Sequence, residues 1–74
     1  MASLRAQIEE KRNILRKIYG GAMTLKDLCR ELRLNHHQAK EWARERDIGF
    51  STGARIKYET DEVAKAIVNA RGMY

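Results

Sequence analysis

The sequence predicts a mainly α-helical domain that carries one small β-hairpin. Three observations predict it. Apolar residues recur at helical spacing in three stretches before Asp47, the period changes to alternation between Ile48 and Tyr58, and a capped helical stretch resumes at Thr60. Seventy-four residues are too few to enclose two separate cores, so the chain reads as one domain with two parts. These are an amphipathic helix with a Gly-Gly hinge over 1–21 and a helix–hairpin–helix body over 22–74.

The first segment, Ser3 to Tyr19, is built from strong helix formers. Leu4, Ile8, Leu15 and Ile18 fall on one stripe, with Lys11 interrupting it and Ile14 and Tyr19 widening it. Gly20-Gly21 stops the helix and is the expected hinge. The stripe suits packing across the chain's own domain. It also suits a short a/d seam with a second copy, since its spacing fits two heptads.

Thr24 with Asp27 forms a near capping box, which announces a second helix with Leu25, Leu28, Cys29 and Leu32 on its apolar face. Asn35 with Gln38 forms another, opening a third helix over roughly His36 to Arg46 with Ala39, Trp42 and Ala43 as its buried edge. Only about three residues separate the two helices, so they should cross steeply, as in a helix-turn-helix.

Beyond Asp47, Ile48 and Phe50 are expected to point inward with Ile56 and Tyr58. Ser51-Thr52-Gly53-Ala54 should turn the chain, and Arg55 and Lys57 should point outward. Thr60, Asp61 and Glu62 start the last helix. Val63, Ala64, Ile67 and Ala70 form its inner face, and Gly72 ends it.

Composition narrows the function. The net charge is +5, carried by residues 1–58, while residues 59–74 are slightly acidic, so the positive field favours a polyanionic partner. A single cysteine, Cys29, allows no internal disulfide and no thiol pair for a metal, which fits a reducing cytoplasm. No stretch has the apolar run of a secretory signal or a membrane span. His36 and His37 are adjacent on a helix and diverge by about 100°, so they converge poorly on one metal ion. No nucleophile stands beside a base, and no glycine-rich phosphate loop precedes a helix. The expectation is a binding protein without metal or cofactor, not an enzyme.

The stretch MTLKDLCRELRLNHHQAKEWARERDIGFSTGARIKYETDEVAKAIV resembles the winged-helix DNA-binding domains of the MerR and phage excisionase superfamily. The features that carry the resemblance are a helix beginning after Thr24, a turn ending at Leu34-Asn35, and Trp42 seven residues on. A hairpin tipped by Gly53 and the acidic start Thr60-Asp61-Glu62 complete them. The match covers about residues 23–70 and departs in three places: Ile48-Gly49 stands where a proline often enters the wing, two histidines open the third helix, and Glu41 puts a negative charge on it.

The resemblance implies a winged helix-turn-helix preceded by an extra helix, and double-stranded DNA as the partner. The third helix would enter the major groove with His36, His37, Gln38, Lys40, Glu41 and Arg44. The wing would bring Ser51, Thr52, Gly53, Arg55 and Lys57 to the backbone or minor groove. Each group also has a structural use: Gln38 in capping, Arg44 in a pair with Glu41 or Glu45, and Arg55 and Lys57 as edge-strand charges that oppose aggregation.

An excisionase-like accessory or architectural factor of a mobile element or phage is the expectation, cytoplasmic in a bacterial host and nucleoid-associated. It would bind and bend DNA beside a recombinase or integrase, and the first helix could pair two copies as a homodimer. A small stand-alone transcriptional regulator and a protein-interaction adaptor on the same scaffold remain the alternatives.

Overall fold

The structure is a computed structural model and describes residues 3–71. Among the described residues are four helices and three short strands: α1 (Leu4–Tyr19), β1 (Ala22–Met23), α2 (Leu25–Leu32), α3 (His36–Glu45), β2 (Phe50–Thr52), β3 (Arg55–Glu59) and α4 (Thr60–Arg71). The chain is therefore helix-rich with a small antiparallel sheet, in the strand order β1-β3-β2. None of the described helices is long and apolar enough to cross a membrane.

Local chemistry sets the helix starts. The Ser3 hydroxyl accepts from the Ala6 N–H and caps α1. Both capping boxes form as their residues predict. Thr24 and Asp27 exchange side-chain and backbone hydrogen bonds at 3.1 Å, and Asn35 accepts from the Gln38 N–H at 2.8 Å while Gln38 Oε1 accepts from the Asn35 N–H at 3.4 Å. Arg33, in the left-handed conformation, ends α2 and turns the chain directly toward α3.

The core joins every helix. Leu15, Met23, Leu28, Ala39, Ala43, Tyr58, Val63, Ala64 and Ile67 are buried together, with Leu34, Trp42 and Ile48 packed at the margin. Val68 is buried, whereas Ala70, expected on the inner face of α4, is exposed. Angle is not the reason, since Ala70 is seven residues from Val63 and falls within about 20° of it. It lies near the end of α4, where it lines an open depression with Arg46 and Ile48. Gly72, expected to end the helix, lies outside the described residues.

α1 packs chiefly along α4, and its inner line differs from the expected stripe. Leu15 is fully buried and Ile8, Lys11 and Tyr19 are partly covered, but Leu4, Ile14 and Ile18 face outward. Lys11 can sit in the seam because its ammonium meets Glu31 of α2 at 3.2 Å. The Tyr19 hydroxyl donates to the other oxygen of the same carboxylate at 3.1 Å.

Two further features were not apparent from periodicity. Ala22 and Met23 add a strand to the hairpin, opposite Glu59 and Tyr58. The Gly20-Gly21 pair is also tied down rather than loose: the Thr60 hydroxyl donates to the Gly20 carbonyl at 2.8 Å, and the Thr60 N–H donates to the Gly21 carbonyl at 3.2 Å.

The hairpin also corrects the expected facing of Phe50. Its loop is only Gly53-Ala54, with Thr52 opposite Arg55, Ser51 opposite Ile56 and Phe50 opposite Lys57. A loop of even length places even-numbered residues of one strand across from odd-numbered residues of the other. Phe50 therefore shares a face with Arg55 and Lys57, while Ser51 shares one with Ile56. Gly53 has φ 64° and Ala54 a negative φ, as a type II′ turn with glycine first requires. Neither Phe50 nor Ile56 is drawn into the core; both are exposed.

Candidate nucleic-acid interface

Two open depressions adjoin on one side of the molecule. The first, about 530 Å³, lies between α3 and the hairpin. His37, Lys40, Glu41 and Arg44 line it from the helix, Ser51 from β2, and Phe50, Ile56 and Tyr58 give it an apolar floor. The second, about 440 Å³, lies between the first turns of α2 and α3 and strand β3, with Thr24, Lys26, His36, Lys40, Arg55 and Lys57 around it. Lys40, Ile56 and Tyr58 line both.

The electrostatics of the two differ. The second holds four cations and, among the described residues lining it, no carboxylate. The first mixes Lys40 and Arg44 with Glu41 and Asp47. Local structure explains the clustering. Thr24 and Asn35 start α2 and α3 at neighbouring points, and helix starts present free N–H groups that add to the positive field. The antiparallel register then lays Arg55 and Lys57 on one face of β3.

Most of the residues expected from the sequence meet here. His36, His37, Lys40, Arg44, Ser51 and Arg55 are exposed, and Glu41 and Lys57 are half-buried. Gln38, Thr52 and Gly53 are exposed but line neither depression. Gln38 Oε1 is engaged in the cap of α3, so a bidentate contact with adenine would require that bond to open. Thr52 donates to the Arg55 carbonyl at 3.4 Å, across the turn that Gly53 opens. Arg44 forms an ion pair with Glu41 along the helix.

Lys26 was missed, as were the exposed apolar groups of Phe50 and Ile56. Lys26 is the second residue after the capping Thr24, so the signal was its place in the first turn of a helix. Arg46 belongs elsewhere. Its guanidinium stacks 4.6 Å from the Trp42 ring centre and donates to the Trp42 carbonyl at 3.0 Å, and it lines neither depression. Trp42 is accordingly half-buried rather than fully inside.

Compared with known proteins, the chain matches no protein-family model, no curated protein and no solved structure.

Proposed function

We propose that the chain is a winged helix-turn-helix protein that binds double-stranded DNA, with α3 as the recognition helix and the β2–β3 hairpin as the wing. One observation carries the reading: the cations of α3 and those of the hairpin line two adjoining depressions that share Lys40. A duplex offers regularly spaced phosphates, and a surface with cations on a helix and on a projecting hairpin suits contact with a groove and its flanking backbone together. The resemblance to excisionase-type wings supports the same assignment. In this role the protein is an accessory factor, similar to those of phages and mobile elements, that occupies a site and bends it. Neutralising phosphates on one side of the duplex favours that bend.

Fluorescence anisotropy with a labelled duplex at several salt concentrations tests this. About four to five phosphate contacts should give a log–log slope of roughly −4. A chain whose retention on DNA shows no salt dependence, or that does not bind duplex DNA at low salt, is not a DNA-binding protein of this kind. Energy transfer between labels at the two duplex ends separates the roles. Shortening of the end-to-end distance supports the architectural factor, and an unbent complex supports a regulator that acts by occupancy alone.

A further inference from the structure

We infer that Ile56 reads the sugar of the bound strand and makes the surface selective for deoxyribose over ribose. The inference rests on the DNA-binding reading and deepens it. Ile56 is 55% exposed and is not among the partly buried hydrophobics packed against the core, so burial does not explain an isoleucine there. Ile56 shares a face of the hairpin with Ser51, its cross-strand partner, and with Tyr58, while Arg55 and Lys57 lie on the other face. It is an apolar group in the lining of depressions that also carry Lys26, Lys40 and Arg44.

Its position gives it a task. With Lys40 and Tyr58, Ile56 lines both depressions and so lies where they meet. A nucleic-acid strand laid across both alternates phosphate, sugar, phosphate. Anionic groups held in the two depressions would leave the intervening sugar over Ile56. In DNA that sugar presents an apolar C2′ methylene. In RNA it presents a hydroxyl, and covering a hydroxyl with an isoleucine side chain strips its water and returns no hydrogen bond.

Gly49 borders Ile56: a Cβ there would stand at ordinary contact distance, 3.5 Å from the Ile56 Cγ2 and 3.4 Å from the Tyr58 ring.

The test compares a labelled DNA duplex with a DNA–RNA hybrid of the same sequence at matched salt, using the wild-type chain, Ile56→Ser and Lys40→Ala. The wild type should prefer DNA. Ile56→Ser should weaken DNA binding about five- to tenfold, the contribution of one lost apolar contact, and narrow the DNA-to-hybrid ratio. Lys40→Ala should weaken both duplexes alike and lower the salt slope by about one. Because Ile56 is exposed, Ile56→Ser should keep the wild-type melting temperature, which excludes misfolding as the cause. If the wild type binds DNA with a steep salt slope but shows no preference over the hybrid, or if Ile56→Ser leaves the ratio unchanged, the inference fails and DNA binding stands. If the wild type binds neither duplex, both fall.

Discussion

The hydroxyl of Thr60 donates a 2.8 Å hydrogen bond to the carbonyl of Gly20, forty positions earlier in the chain. Thr60 is fully buried, and its N–H reaches the Gly21 carbonyl as well. One residue at the start of α4 thus holds the end of α1 and the entry to β1, which fixes how the first helix sits against the sheet.

Replacing Thr60 with valine keeps the shape and deletes the donor, leaving the Gly20 carbonyl without that partner. The expected loss is about 1–3 kcal/mol in urea unfolding followed by circular dichroism. Thr60→Ser retains the hydroxyl and should lose clearly less. Equal losses in the two variants would mean that the methyl group, not the hydrogen bond, does the holding.

Gly49 has φ 130°, a conformation that residues with a Cβ rarely adopt. The space beside it is ordinary contact distance to Tyr58 and Ile56, so the penalty for Gly49→Ala is backbone strain and not collision. A loss of about 1–3 kcal/mol is expected in the same unfolding experiment. Alanine at Gly21, which has no φ in the glycine-favouring range and nothing near its Cβ position, should be nearly neutral by comparison.

Glu41 both pairs with Arg44 and places a carboxylate in the depression between α3 and the hairpin. Glu41→Gln removes the repulsion of phosphate and releases the guanidinium. DNA affinity should rise roughly threefold at low salt, an increase of the size expected for one exposed charge, and the gain should fade as salt is added. Weaker binding by this variant would place the duplex away from this part of α3.

Tyr19 and Tyr58 both hold their phenolic protons more tightly than an ordinary tyrosine. Burial is the main cause in each, aided by Glu31 at Tyr19 and by Cys29 at Tyr58. The folded chain therefore keeps protons that the unfolded chain has released. This stabilisation is complete below the ordinary tyrosine value near about pH 10 and is lost as pH rises through the higher folded values. Unfolding free energy should fall across that window. Tyr19→Phe and Tyr58→Phe should each flatten the fall, whatever they do to stability at neutral pH. An unchanged slope in both would remove the tyrosines as its source.

Much of the framework was legible because it is local. Thr24–Asp27 and Asn35–Gln38 each satisfy a helix start within four residues, so composition and spacing suffice to place α2 and α3. A common surface for the α3 and hairpin cations is what the resemblance implies; chain order and the helical and strand periods give only the elements that carry them. The misreadings share a cause. Phe50 depended on the parity of the loop, which changes with one residue of turn length. Strand β1 is two residues long, too short to show alternation. Lys11 looks like an interruption until Glu31 is brought to it from another helix.

The sequence by itself determined where helices begin, where the period switches to a hairpin, and that the net positive charge comes from residues before the last helix. These follow from forces acting over a few residues and from side-chain identity alone. Only the tertiary structure decided that α1 runs along α4 with Ile14 and Ile18 outward, that Thr60 closes the glycine pair, and that Lys26 and Ile56 join the cationic surface. Those outcomes depend on which faces of distant segments meet. Packing chooses among rotations of a helix that the apolar pattern leaves nearly equivalent.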